Sequence, residues 1–454
     1  MEFVCAQETL KAGLATIGRA AGGRTTMPVL ANVLIETQDG MLKLSATNLD
    51  VAMQAWVVAH VVEPGRASVP ARLLTEFVNS LPGDADIRLG TAPADPFSLT
   101  IHAGSIHATL RGMDPDEFPP LAPWGDAVSW LVPARDFRTM IDQVAFSAAT
   151  EMSRPVLTGV MVTADDAEMV LSAADGYRLS VRRLNLGVDG SPGTALSLLI
   201  PAKTVIEIAR LLVSDQVRLE ISVNKGSSQV LFRVEAPTGG QVTVIGTRLL
   251  EGVFPDLERV IPNDSATEVV ASRAELMTAI RIANLFVKDA MNVIALDIFP
   301  DGEPDDGIAN GTDDGTDDGA DDGADDGMAG KQSLGSPDPG DMDAAKGAMG
   351  RGELQGMDVI LDVSTIPVAP RRLPVLRISA QAQDVGNNAT RVPVTVSGAA
   401  MSVSLSSQFL GDVLAALRCD LVILNFTSPT SPVVVRGMGV DGYIHVIMPM
   451  HSAR

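Results

Sequence analysis

The chain has 454 residues, 46% of them apolar and 20% charged. It is too long for one ordinary domain of about 150 residues and apolar enough for most of it to bury a core; no run approaches the ~18 consecutive apolar residues of a membrane span. The net charge of −22 argues against a nucleic-acid partner only until it is apportioned: residues 301–350 hold fifteen acids and two lysines, −13 in one segment, which leaves the other 404 residues at −9.

At the start of the chain, Glu2 and the lack of a long apolar stretch argue against a signal peptide. Cys5 and Cys419 are the only cysteines and support no disulfide framework, so a reducing, cytoplasmic compartment is expected. A strand at Glu2-Phe3-Val4 leads into a helix from Ala6 to Ala20, with Leu10, Leu14 and Ile17 at helical spacing. Leu30–Ile35 and Leu42–Asn48 then read as a hairpin. Val69-Pro70-Ala71-Arg72 opens a second helix, with Pro favourable in a first turn, and Phe118-Pro119-Pro120-Leu121 closes the unit.

The same series follows twice more. Trp130-Leu131-Val132 precedes a helix from Ala134 to Ala148. The hairpin after it spans Arg154 to Ser180, with a turn at Ala164–Ala167 and another at Asp175-Gly176. Leu30 and Leu157 are 127 residues apart, as are Ala46 and Ala173. Ile200-Pro201-Ala202-Lys203 opens the second helix of this copy, and Phe254-Pro255-Asp256-Leu257 closes it. Small drifts in offset are what loop insertions leave in duplicated modules. In the third copy Glu268-Val269-Val270 precedes a helix from Ser272 to Leu285. Its hairpin leaves through Ile298-Phe299-Pro300 and returns through Leu376–Ala380, and a second helix spans Ser407 to Arg418. A strand from Tyr443 to Met450 ends it.

Between the two arms of that third hairpin lies TDDGTDDGADDGADDG, Thr312 to Gly327, with a four-residue period. Its apolar residues are few and single, so it is expected to be disordered. A calcium loop wants alternating carboxylates before a Gly and a bidentate Glu further on; here the aspartates are adjacent pairs and that Glu is missing. Elsewhere there is no GxxxxGK[ST], no GxGxxG opening a helix, no HExxH, CxxC or GxSxG. The five histidines, His60, His102, His107, His445 and His451, never stand four apart. Asp165-Asp166 and Asp114/Asp116/Glu117 sit in polar turns where acids are ordinary. No catalytic residue, metal or cofactor is expected.

Five motifs in order carry a family likeness: Met27-Pro28-Val29-Leu30-Ala31-Asn32; Leu157-Thr158-Gly159; Ala173-Ala174-Asp175-Gly176-Tyr177-Arg178-Leu179; Gly252–Asp256 with Arg259-Val260-Ile261-Pro262; and Val446–Met450. The sequence resembles the bacterial replicative sliding clamps, the DNA polymerase III β subunit family, over its whole length apart from roughly Asp301 to Arg372. The resemblance implies an α+β fold of three tandem modules, each with two helices packed on antiparallel sheets, at residues 1–126, 127–265 and 266–454, the last with its acidic insert at about 301–372. It implies a head-to-tail homodimer that closes a ring around double-stranded DNA without reading its sequence. Such a ring is a processivity factor and no enzyme, with no membrane partner. Helices would line the hole, and the six helices carry Lys11, Arg19, Arg72, Arg135, Arg138, Lys203, Arg210, Arg273, Arg281, Lys288 and Arg418. By family position Arg24, Arg72, Arg154 and Lys203 are the expected DNA contacts.

The family also docks short peptides of the replicative polymerase, the clamp loader and repair polymerases in a groove between the second and third modules. By position that groove holds Leu157, Gly176, Tyr177, Arg178, Leu179, Pro255, Arg259, Val260, Ser406, Phe409, Val446, Ile447, Met448, Pro449 and Met450. Aliphatic and Met side chains make an adaptable slot for an extended peptide. Tyr177 stands where the family has His, Ala174 where it has Thr, and Ser406 where it has Asn. The alternative is a secondary clamp-like protein with non-replicative partners, regulated by its acidic insert.

Overall fold

One element order recurs three times in the computed structural model, which describes residues 1–22, 27–92, 94–122, 128–165, 167–186, 195–214, 217–223, 228–236, 242–287, 292–303, 373–382 and 386–450. The first run is β1 (Glu2–Ala6), α1 (Gln7–Ile17), β2 (Asn32–Gln38), β3 (Met41–Thr47), β4 (Val51–Val57), a short extra β5 (His60–Glu63), β6 (Arg66–Pro70), α2 (Ala71–Ser80), β7 (Asp86–Ala92), β8 (Asp95–Ala103) and β9 (Ile106–Arg111). The second is β10 (Val128–Pro133), α3 (Ala134–Val144), β11 (Gly159–Ala164), β12 (Glu168–Ala174), β13 (Arg178–Asn185), β14 (Leu196–Pro201), α4 (Ala202–Leu211), β15 (Arg218–Val223), β16 (Gln229–Glu235) and β17 (Val242–Arg248). The third is β18 (Thr267–Ser272), α5 (Arg273–Ala283), β19 (Val293–Phe299), β20 (Val375–Ala382), β21 (Gly386–Gly398), β22 (Met401–Ser406), α6 (Ser407–Ala416), β23 (Leu421–Phe426), β24 (Val433–Gly437) and β25 (Tyr443–Ile447).

Strand pairing is antiparallel throughout the described residues, and it does not stop at the module edges. The last strand of the second run, β17, pairs with β4 of the first from Val242↔Trp56 to Thr247↔Val51. The last strand of the third, β25, pairs with β13 of the second from Arg178↔Ile447 to Arg182↔Tyr443. An eight-stranded sheet, β10-β15-β16-β17-β4-β3-β2-β6, and a twelve-stranded one, β14-β11-β12-β13-β25-β24-β23-β18-β21-β20-β19-β22, result. The remaining sheet, β5-β1-β7-β8-β9, belongs to the first run alone.

Alternation along each strand splits the residues between two faces. One face meets the helices. Leu10, Leu14 and Ile17 of α1, and Phe137, Ile141 and Val144 of α3, lie in one aliphatic core with β-strand residues such as Leu44 and Phe232. Leu276 and Ile280 of α5 join Leu410 and Leu414 of α6 in a second. Each first helix also ties down the end of the second. Gln7 donates from Nε2 to the Val78 carbonyl at 2.8 Å, Arg138 from Nη1 to that of Leu212 at 2.9 Å, and Arg273 from Nη1 to that of Leu414 at 3.2 Å. Carbonyls at a helix end lack a full set of intrahelical partners, so these bonds add an acceptor contact there; that of Val78 also accepts from Leu81 N at 3.3 Å.

Boundaries differ from the sequence expectation in places where proline decides. Leu30 and Leu157 are not in strands but in 3-10 turns, Pro28–Ala31 and Pro155–Thr158. A proline opens each and has no N–H to give a ladder. Pro70 and Pro201 end strands and stand at the N-cap, one position before the expected first turn. The final strand stops at Ile447, not Met450. Beyond it Met448 N bonds Tyr177 O and Met450 N bonds Ser404 O, both at 2.8 Å, with Pro449 between unable to donate. Among the described residues no helix is long and apolar enough to cross a membrane.

The third hairpin is formed by β19 and β20, paired from Ala295↔Ser379 to Phe299↔Val375. The expected disordered acidic insert and its Asp/Gly repeat lie outside the described residues. Both of its ends are held a strand spacing apart by the Phe299↔Val375 pair, so its length enters stability through loop closure. That cost rises by only about 0.6 kcal/mol per doubling of loop length. Deleting Thr312–Gly327 is therefore expected to leave the melting temperature within a degree or two, measured by calorimetry. A fall of many degrees would show that the segment packs on the fold.

Candidate functional site

The junction of β13 with β25 sits under the motif residues. On its outward face Ala174, Leu179, Val181, Val434 and Val446 form a separate apolar patch, and Leu257 and Ile261 of the following linker pack on it. All five patch residues are at most 5% exposed. Leu157 is buried within its 3-10 turn. Around this floor stand Tyr177 and Val260, 49% and 40% exposed, and the half-buried Met448, Pro449 and Met450. Pro255 and Arg259 are exposed, Arg259 in an ion pair with Asp256 at 2.9 Å. Gly176 has φ +97°, the left-handed turn position that its lack of Cβ makes strain-free.

Three expected groove residues do other work. Ile447 faces the opposite side of β25 and lies in the core of the third run. The side-chain oxygen of Ser406 caps α6 by accepting from Phe409 N at 3.5 Å. Arg178 is itself largely buried, its side chain 9% exposed. It donates from Nε to Asp175 at 3.0 Å, from Nη1 to Asp412 of α6 at 2.6 Å, and from Nη2 to the Phe146 carbonyl at 2.8 Å. Its guanidinium is 4.5 Å from the Phe409 ring centroid and 5.4 Å from that of Phe146. A planar fork used on all sides in this way fastens module 2 to module 3.

Next to it runs a buried polar chain. Ser147 Oγ is 2.8 Å from Ser180 Oγ, which is 2.7 Å from His445 Nδ1. The Phe146 ring stacks on His445 with centroids 5.5 Å apart, and His445 Nε2 has no partner among the described residues. Burial, reinforced by the positive charge of Arg178, pushes the imidazole down to about 3, so it is neutral in the fold. Burial likewise raises the neighbouring Tyr443 hydroxyl.

The helices carry the second expected site. Arg72, Arg154 and Lys203 are exposed; Arg24 lies outside the described residues, as does Lys288. The six helices together hold eight cations and seven acids. Several of these cations, and Arg19 and Arg418 just past α1 and α6, are paired. Arg72 meets Glu76 at 2.8 Å, Arg19 meets Glu207 at 3.0 Å, Arg418 meets Asp142 at 3.2 Å, and Arg210 also meets Glu207. Arg273 is spent on α6, where its Nε also donates to the Cys419 carbonyl at 2.8 Å. Two of these pairs cross module boundaries, as Arg178 to Asp412 does: Arg19 to Glu207 joins the first run to the second, and Arg418 to Asp142 joins the third to the second. Among the described residues no three His, Cys, Asp or Glu side chains cluster as metal ligands.

Sequence reasoning missed Asp412 and Phe146, which no local pattern marks because their partner is more than thirty residues away in each case. It named Leu257 and Ile261 within motifs but did not place them at this patch. Their spacing of four, next to the Phe254-Pro255 motif, was the available signal.

Comparison with known proteins bears on all of this. The sequence matches the family profiles of the DNA polymerase III beta subunit in order: N-terminal domain at residues 1–122, central domain at 131–256 and C-terminal domain at 372–451. Among curated relatives, the beta sliding clamp of Synechocystis is 29% identical over 317 residues, 66% of this chain and 79% of that one. The beta sliding clamp of Staphylococcus aureus is 24% identical with both chains fully covered. Among solved structures, the DNA polymerase sliding clamp of Bacillus subtilis superposes with a TM-score of 0.77 at 20% identity, covering 100% of this chain and 99% of that one. A Pseudomonas aeruginosa sliding clamp bound to griselimycin superposes with a TM-score of 0.76 at 22% identity and full coverage of both.

The lowered His445 pKa makes the module 2–3 junction sensitive to acid. The unfolded chain takes up this proton near pH 6.5 and the folded chain only near 3, so the stabilisation is complete above pH 6.5 and is lost as pH falls. The slope is at most about 1.4 kcal/mol per pH unit. Denaturant melts between pH 7 and 5 should show a loss of about 2 kcal/mol, and His445→Asn should show a shallower dependence. An unchanged slope in that variant would place the acid sensitivity elsewhere.

Proposed function

The chain belongs to the DNA polymerase III beta subunit family, the sliding clamps that serve as processivity factors, and we propose that it does this as a closed head-to-tail homodimer around duplex DNA. The observation that carries the reading is the rule by which its modules join. Twice, the fourth strand of one run pairs with the last strand of the next run: β4 with β17, and β13 with β25. That leaves β9 as the edge of its sheet. It also leaves β21 open over residues 386–393, because β18 pairs only with Val394–Gly398. Applied a third time, the rule sets β9 of one copy beside β21 of a second. Two such contacts close six modules into a ring and leave neither edge bare, which is how sheets avoid unwanted pairing.

We place the module limits at residues 126/127 and 265/266. The helices face the hole, and Arg24, Arg72, Arg154 and Lys203 touch phosphates. Their near balance of cations and acids favours a weak, sequence-blind hold, and retention comes from encirclement, with no catalytic step. The groove on the β13–β25 junction takes short peptides of the replicative polymerase, the loader and repair polymerases. Its buried floor gives apolar contact, while the half-buried Met448 and Met450, unbranched and easily re-set, admit different side chains. Action on the chromosome implies a cytoplasmic protein.

The defining test is retention on nicked circular DNA with loss on linearisation; equal loss from both forms would refute topological binding. The purified protein should run at twice the 47.5 kDa chain mass. Thr109→Pro, which removes an N–H from β9, should shift it to the monomer mass with little change in melting temperature. For the groove, Tyr177→Ala with Met448→Ala should weaken a polymerase-derived peptide at least tenfold in fluorescence polarisation and leave the dimer intact. Unaltered affinity would move the peptide site.

A further inference from the structure

The two junctions inside the chain follow one plan but are filled differently. At the β13–β25 junction Leu179 pairs with Val446, and Val181 with Ile444, so large aliphatic side chains meet on the outward face. The 127-residue offset carries Leu179 to Ala52 and Val181 to Gln54. At the β4–β17 junction Ala52 pairs with Gly246, and Gln54 with Val244. Two large side chains are thus replaced by a methyl and a hydrogen. The result is a cavity of about 110 Å³ on the outward face, floored by Leu231 and Val244 and roofed by the Pro119–Ala122 segment.

Three further features set this cavity apart from a packing defect. Gln54, only 8% exposed, lines it, and its carboxamide makes no hydrogen bond among the described residues. Its donor and its acceptor both open into the cavity, where an occupant that offers the matching pair takes the place of water. At the mouth stands Leu49, 45% exposed, with φ +77°. It occupies the turn position that Gly176 fills in the next module. A leucine in the left-handed region is strained, and such strain gathers at ligand clamps. Asp50 and Arg248 form the rim with opposite charges, which favours a neutral occupant.

We propose that the junction of modules 1 and 2 is a second docking pocket, for an extended segment of a partner protein that inserts one branched aliphatic side chain. The peptide bond beside that side chain matches Gln54 in both directions, its N–H to the carboxamide oxygen and its C=O to the carboxamide NH₂. The volume suits one such side chain: an apolar cavity of about 150 Å³ holds benzene. The proposal goes beyond the module 2–3 groove and stands on this junction's own cavity, so it holds whether or not that groove binds peptides.

The probe is acetyl-Ala-Leu-Ala-amide, titrated into the full-length protein with methyl-labelled Leu and Val and followed by NMR at Leu231 and Val244. Saturable shifts are expected, with none from acetyl-Ala-Gly-Ala-amide. The dissociation constant should rise at least tenfold in Ala52→Leu, which restores the filled pattern of the other junction, and in Gln54→Leu, the milder change should the first not fold. It should be unaltered in Tyr177→Ala/Met448→Ala. The proposal is overturned by absent or unsaturable shifts, by equal shifts from the glycine peptide, or by binding that survives both Ala52→Leu and Gln54→Leu. Binding lost only in Tyr177→Ala/Met448→Ala also overturns it and assigns the peptide to the module 2–3 groove.

Discussion

Unpaired strand edges govern this structure. A sheet edge exposes a row of N–H and C=O groups that pair with whatever strand arrives, and here the arriving strand is supplied by the next module. Pairing of β17 with β4 and of β25 with β13 turns three similar units into continuous sheets. The buried cores follow that continuity, one of them running through both the first and second modules. The functional surfaces are consequences of the same joints, because each joint brings two outward faces and one linker together. The apolar patch at β13–β25 and the cavity at β4–β17 are two fillings of one template.

Charge is arranged to hold modules in register more than to create a strong field. Arg178 reaches from β13 to α6, Arg19 to α4 and Arg418 to α3, each across a boundary. Exposed pairs of the Arg19 kind contribute little to stability individually. Their effect here is to offset cations that a count of Lys and Arg on the helices treats as free. A surface of that sort suits a protein that must move along a polyanion without stopping.

Much of the fold was legible because repetition amplifies weak signals. Single strands such as Glu2–Val4 carry little information, but a strand, a helix and a hairpin recurring 127 residues on carry a great deal. Prolines at 70 and 201 marked helix starts to within one residue, and Leu10, Leu14 and Ile17 marked the buried face of α1. The groove motif was legible as residues and not as roles. Ile447 turned inward because strand alternation leaves only every second residue outside. Ser406 became a cap through the N–H three residues on, and Arg178 a brace, because its partners Asp412, Phe409 and Phe146 are set by tertiary structure. Neither the helix-end bonds of Gln7, Arg138 and Arg273 nor the cavity left by Ala52 opposite Gly246 has any local signature.

The bonds from Gln7, Arg138 and Arg273 to neighbouring helix ends make each helix pair a stiff block. Bending must then concentrate at the joints. Both joints inside the chain have a covalent strap as well as a strand ladder, since the polypeptide itself crosses beside them. In a closed dimer the β9–β21 seams would have the ladder without the strap. Any machine that pries the doughnut apart would meet its least mechanical resistance there, and the hinge for that motion would lie in the strapped joints.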